Sequence, residues 1–194
     1  MKIKLSIYLL LLSSICFAQN WEIDLLKDIN SSQSHSAFQQ NISKSVYPLS
    51  VATPVTMFAV GLFNKDKKLQ QQSYKVVGSL LINTAITQAM KYTFKRNRPY
   101  QDYPTIIFPS NIEHDASFPS GHTSTAFALA TSMSIQYKKW YVVVPAFVWA
   151  SSVGYSRLYL GEHYPTDVLA GAAIGMGSAY LSEWLNKKLF KQIK

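Results

Sequence analysis

Lys91 and Arg98 stand seven residues apart, two turns of a helix, and Pro99 discourages continuation, so both cations belong to one carboxyl-terminal helix end. Pro119, Ser120, Gly121 and His122 read as the start of another helix. Ser120 is a plausible N-cap, Gly121 permits close backbone approach, and the free amides of the first turn favour an anion. That block is a cradle for phosphate with a histidine attached. Ser156 and Arg157 end a further helix, and His163, Tyr164, Pro165, Thr166 and Asp167 open the next, with Pro165 where helices tolerate proline and Asp167 one turn beyond His163. This third block offers a cation, a nucleophile candidate and a carboxylate. Singly, each piece also fits a purely structural role; the signal lies in their ordered combination.

The elements that must position these blocks are five apolar stretches, at about 46–63, 76–94, 120–136, 140–155 and 165–186. They are too long, and alternate too little, to be strands. They predict an all-α fold, an up-and-down bundle of five main helices after a signal segment. In such a bundle the end of the second stretch, the start of the third, the end of the fourth and the start of the fifth meet at one end, which becomes the active-site end. Gly171, Gly175 and Ala179 form a small-residue stripe, as do Ala126, Ala130 and Ser134, and both predict close helix packing. Thr84, Thr87, Gln88 and Lys91 share one helical face that should turn inward.

Charge and composition frame the bundle. With 194 residues, one cysteine and 48% apolar residues, the chain suits one domain of ordinary size. Charged residues are 15%, against roughly 25% in soluble domains, yet mean hydropathy is only +0.02, so membrane-embedded and soluble readings both stand. Disorder, collagen, coiled coil and a disulfide scaffold are excluded. The formal charge is +9, and ten of the 19 basic residues fall between or after the apolar stretches: Lys65, Lys67, Lys68 and Lys75; Lys138 and Lys139; Lys187, Lys188, Lys191 and Lys194. All would lie on one side of a membrane if each stretch crossed it, as the positive-inside rule requires, although loops of any helical bundle also gather charge. Residues 1–18 have the layout of a secretory signal, with cleavage after Ala18 and Cys16 removed with it, and the apolar run is short for a membrane span. Residues 19–45 form an extracytoplasmic amphipathic segment in which Trp21, Ile23, Leu25, Leu26 and Ile29 serve packing. Residues 46–194 form the helical domain, and no internal repeat interrupts it.

The order Lys91, six residues, Arg98-Pro99; then Pro119-Ser120-Gly121-His122; then Ser156-Arg157, five residues, His163, three residues, Asp167 resembles the signature of the type 2 phosphatidic acid phosphatase superfamily over about residues 76–186. The resemblance implies a phosphate site in which Lys91, Arg98 and Arg157 neutralise phosphoryl oxygens while the Ser120 hydroxyl and the amides around Ser120 and Gly121 add donors. It implies that His163 forms a phosphohistidine, that Asp167 holds its other ring nitrogen, and that His122 protonates the leaving oxygen before activating water. This scheme requires no metal and no cofactor, and carboxylates near the site read as too few for a two-metal centre.

The implied activity is hydrolysis of a phosphate monoester or diphosphate of a membrane lipid (phosphatidate, an isoprenoid diphosphate or a lipid A phosphate) at the periplasmic face of a bacterial inner membrane. A soluble periplasmic acid phosphatase of the same superfamily is the alternative. A vanadium haloperoxidase would share the pocket on a longer chain, and a non-catalytic lipid-binding membrane protein is the remaining reading. Nucleic-acid binding is disfavoured because the lysines are split among three short segments. The sequence does not specify an oligomeric state. Lys95 and Arg96 fall outside the signature and read as facing headgroups or solvent. His35 and His114 have no identifiable partner. Asp102, Glu113 and Asp115 lie in the loop from Tyr100 to Phe118, expected to cover the pocket mouth, and Glu162 reads as exposed or as a source of local basicity.

Overall fold

A computed structural model of the chain describes residues 21–30 and 36–191; the expected signal segment and His35 lie outside them. The described residues are helical and contain no strand. The helices are α1 (21–29), α2 (Ala37–Lys44), α3 (Val46–Phe63), α4 (Lys67–Phe94), α5 (Pro99–Asp102), α6 (Gly121–Tyr137), α7 (Trp140–Tyr159) and α8 (Pro165–Lys191). Their ends follow local chemistry. The Asp66 carboxylate accepts the Leu69 amide at 3.0 Å and starts α4, proline opens α5 and α8, and Lys95 and Lys138 end α4 and α6 in the left-handed conformation.

The expected count of five main helices is corrected to six. Part of the segment assigned to residues 19–45 forms α2, which runs into α3 and packs on α7, with Ile42 against the cluster of Val46, Ala126, Ala150 and Val153. The Asp66 cap also starts α4 earlier than the apolar pattern suggests, so Lys67, Lys68 and Lys75 are helical.

The up-and-down order is visible in the contacts. At one end Glu183 of α8 pairs with Lys75 of α4 at 3.1 Å and accepts from Gln136 of α6. At the other, the Ser120 amide donates to the Asp167 carbonyl at 3.0 Å, and Thr87 bonds Ser124 at 3.1 Å. Helix α6 lies at the centre, against α4, α7 and α8. Its seam with α8 is backbone on backbone: a Cβ on Gly171 would sit 2.7 Å from the Ser120 carbonyl, and one on Gly175 would collide with that of Ser124. The small-residue stripe on α8 therefore packs as expected, and Ala126 and Ala130 turn to α3 and α7.

The polar face of α4 is shifted from its expected place. Ser79, Asn83, Thr87 and Lys91, each four residues on, are buried, while Thr84 and Gln88 face outward. The small polar side chains fit between α4 and α6, where Asn83 donates to Thr125 at 3.3 Å. Much of the outer surface is apolar: Val51, Val55, Leu62, Leu81, Val148, Leu169 and Trp184 are all exposed. Among the described residues one run, Ala37–Phe63, is both long and apolar enough to cross a membrane.

Candidate active site

The three signature cations converge although they come from three places in the chain. Lys91 is in the last turn of α4, Arg98 follows α4 in the stretch before α5, and Arg157 is in the last turn of α7; all three are buried. The Lys91 stem lies 3.9 Å from where a Gly121 Cβ would be, which joins the first block to the second. Buried cations require partners. Glu113 bridges Arg98 at 2.6 Å and Arg157 at 2.8 Å, while Asp115 bridges Arg98 at 2.5 Å and Lys91 at 3.0 Å. The loop from Tyr100 to Phe118 thus does more than cover the pocket: its two carboxylates occupy the cation cluster. Tyr100 pins Glu113 by donating from its hydroxyl to the Glu113 carbonyl at 2.9 Å. Lys91 also donates to the Ala116 carbonyl.

Burial pushes both loop carboxyls up, but their partners outweigh it. Arg157 and Arg98 hold Glu113 below the usual carboxylate range, and the hydrogen bond and charge of Lys91, with Arg98, do the same for Asp115. Both are therefore anions at neutral pH.

The third block places His163 at this cluster. Its Nε2 lies 3.5 Å from Nη1 of Arg98, and its Nδ1 lies 3.4 Å from Oδ2 of Asp167. Burial, opposed by the Asp167 hydrogen bond and reinforced by Arg157 and Arg98, lowers the His163 pKa to about 4. The ring is therefore neutral at pH 7, with a free lone pair on one nitrogen. Asp167 is fully buried; its Oδ2 accepts the Ser117 hydroxyl and the Tyr164 amide at 2.9 Å. His122, in the first turn of α6, packs edge-on to Tyr47 at 4.8 Å and shares a cavity of about 80 Å³ with Glu113 and Arg157.

Ser120 caps α6 as its sequence context predicts. Its hydroxyl accepts the Thr123 amide at 3.5 Å and bonds the Thr123 hydroxyl at 2.9 Å. The hydroxyl is thus engaged in capping, which leaves the first-turn amides of Gly121 and His122 as the donors free of intrahelical partners.

Several residues escape the sequence reading. Glu162 is fully buried and paired with Arg157, not exposed. Ser43 of α2 accepts from Arg157 at 2.7 Å. Arg96 turns inward to Asp167 at 2.8 Å, whereas its neighbour Lys95 is exposed as expected. The carboxylates around the site are not few: Glu113, Asp115, Glu162 and Asp167 all belong to it, and each is engaged by a lysine or arginine. Glu162 could have been suspected from its place beside His163. The others carry no local signal.

Residues 73–191 match the family profile described as the PAP2 superfamily. An undecaprenyl-diphosphatase of Sulfolobus acidocaldarius is 30% identical over 181 residues, covering 92% of this chain and 84% of that protein. A lipid A 1-phosphatase of Porphyromonas gingivalis is 34% identical over 125 residues, 59% of this chain, and the chain spans only 25% of that protein's length. Among solved structures, the PAP2-type phosphatidylglycerolphosphate phosphatase of Bacillus subtilis shares the fold with a TM-score of 0.72 over 96% of each chain, at 22% identity. Aquifex aeolicus LpxE superposes with a TM-score of 0.64 at 25% identity, over 84% of this chain and 94% of that one. With the profile spanning more than half of its residues, and the three signature blocks brought together at one end of the bundle, the chain belongs to the PAP2 superfamily.

Proposed function

We propose that the chain hydrolyses a phosphate monoester or diphosphate of a membrane lipid through a phosphohistidine on His163. The observation that carries this reading is the two-sided setting of His163, with Nε2 facing the cation cluster and Nδ1 facing Asp167. Phosphoryl oxygens replace the Glu113 and Asp115 carboxylates on Lys91, Arg98 and Arg157, with the first-turn amides of Gly121 and His122 completing the cradle. The Nε2 lone pair then attacks phosphorus as the bond to the leaving oxygen breaks. Asp167 supports the resulting imidazolium, and His122, protonated once the substrate's negative charge is bound beside it, gives that proton to the leaving oxygen. His122 next takes a proton from water, whose oxygen attacks phosphorus as the P–Nε2 bond breaks. Inorganic phosphate leaves and His163 is restored. No step calls for a metal or a cofactor.

A lipid substrate is supported by the exposed apolar helix faces and by the relatives, which are named for undecaprenyl diphosphate and lipid A phosphates. The orientation with the site facing the periplasm of a bacterial inner membrane is supported by the lysines at the opposite end of the bundle. Residues 46–194 would then be the catalytic domain, preceded by the segment 19–45 and a signal at 1–18.

The test is phosphate release by the full chain from phosphatidate, undecaprenyl diphosphate, lipid A and soluble esters, with trapping of acid-labile phosphoenzyme. Activity should survive chelation and be blocked by vanadate; loss in chelator restored by a divalent ion would remove the histidine mechanism. For orientation, Ser110→Cys should react with an impermeant thiol reagent in spheroplasts and Gln71→Cys should not. The soluble acid phosphatase reading is favoured by the near-zero mean hydropathy, and release of the chain from membranes by carbonate would establish it.

A further inference from the structure

Behind Asp167 lies a second set of charges that the phosphate does not touch. Asp167 uses its two oxygens differently: Oδ2 faces His163, while Oδ1 accepts from Nη1 of Arg96 at 2.8 Å. The same Nη1 donates to the Thr166 hydroxyl at 2.7 Å, and Nη2 donates to Glu22 of α1 at 2.8 Å. Glu22 is 4% exposed, and its other oxygen accepts the Thr166 amide at 2.9 Å and the Thr166 hydroxyl at 2.5 Å. The Arg96 guanidinium lies over the Tyr164 ring at 3.9 Å. Tyr164 is itself fixed by its hydroxyl, which donates to Asp102 at 2.8 Å.

His163, Asp167, Arg96 and Glu22 therefore form one line in which the last three charges alternate in sign. The order has a chemical consequence. Arg96 fixes Asp167 in the rotamer that presents Oδ2 to His163. An arginine alone would also draw off the carboxylate charge that an imidazolium needs. Glu22, on the far side of the guanidinium, offsets that pull. Among the described residues neither Arg96 nor Glu22 bonds Lys91, Arg98 or Arg157 through its side chain, so their influence should reach the reacting histidine and not the bound phosphate.

We infer that Arg96 and Glu22 are positioning residues for the Asp167–His163 pair, so that α1 is a working part of the hydrolytic site. This rests on the phosphohistidine reading above. It replaces the assignment of α1 to packing alone, since Ile23 and Leu26 pack with Tyr100, Ile107 and Tyr164 and thereby hold Glu22 in place.

The experiment uses the full chain with phosphatidate as substrate and inorganic phosphate as competitive inhibitor. Arg96→Gln and Glu22→Gln should each lower kcat by about tenfold or more, with KM and the phosphate inhibition constant held within about twofold. Arg96→Lys, which keeps a cation beside Asp167, should recover most of the loss. In an Asp167→Asn background, Glu22→Gln should cost little more, because its route to the histidine is already cut. A fall in phosphate affinity that matches the fall in kcat, no rescue by lysine, or full additivity with Asp167→Asn would overturn the inference and leave α1 a structural prop. If Arg96→Gln does not fold, the near-isosteric Glu22→Gln and the lysine variant decide the matter. Wild-type protein without phosphate release, or a fully active His163→Ala, would instead bring down the phosphatase reading itself.

Discussion

The two sides of His163 are both built from alternating charges, yet they differ in what can replace them. On the side of the cation cluster, the side chains of Glu113 and Asp115 are 29% and 52% exposed and belong to a loop. On the far side, Glu22 and Asp167 are buried and hydrogen-bonded to backbone amides of the α8 entrance. A phosphate dianion can take over the partners of the first pair while the displaced carboxylates return to water. No ligand can do so for the second, where a lost partner leaves a charge stranded in the protein. One network is exchangeable and the other is fixed, although the same kinds of residue make both.

The largest effect that would test this contrast is at its centre. His163→Ala should lower turnover by more than about 10⁴-fold on every substrate and leave no acid-labile phosphoenzyme. Substantial phosphoenzyme in that variant would move the nucleophile elsewhere. Next, on the fixed side, Asp167→Asn should cost about 10²- to 10⁴-fold in kcat while inhibition by inorganic phosphate persists, since an amide holds the ring without supporting its charge. A loss of phosphate inhibition of the same size would mean that Asp167 shapes the cradle as well.

On the exchangeable side the sign reverses. Glu113→Gln and Asp115→Asn should tighten inorganic phosphate by about tenfold, because the ligand no longer competes with an internal anion for cations that are costly to leave unpaired. The unliganded variants should melt earlier and be rescued by phosphate. Weaker phosphate binding would make the carboxylates part of the cradle and erase the contrast.

The smallest effect is one of pH. Both carboxyls are held below their ordinary values, so their contribution to the unliganded fold is complete above the ordinary carboxylate pKa of about 4 and is lost as pH falls through their lowered values. Saturating phosphate should flatten that part of the melting-temperature profile, and the double substitution should remove it. An unchanged acid limb in the double variant would assign it to other groups.

What the sequence discloses follows from range. The three blocks are legible because each packs its chemistry into a few residues at a helix end, where proline, N-cap and spacing speak together. The pairing of Arg96 with Glu22 spans 74 residues and is written as two ordinary charges. Glu113 and Asp115 sit in a loop without periodicity, so nothing local announces that they enter the cluster. The inward face of α4 is misread for a different reason. Ser79 and Asn83 are small polar residues that pack, and they continue a spacing of four that the conspicuous Thr84 and Gln88 obscure.

The seam between α6 and α8 carries a consequence for how such a site can diverge. Side chains at Gly171 or Gly175 would run into the carbonyls of Ser120 and Ser124, in the turn that opens α6 at the second signature block. The part of the molecule that joins the second signature block to the third therefore offers no side chain to vary. New substrate preferences must arise at the periphery, in the Tyr100–Phe118 loop and the amino-terminal helices, while the backbone contact beneath keeps the reacting groups in register.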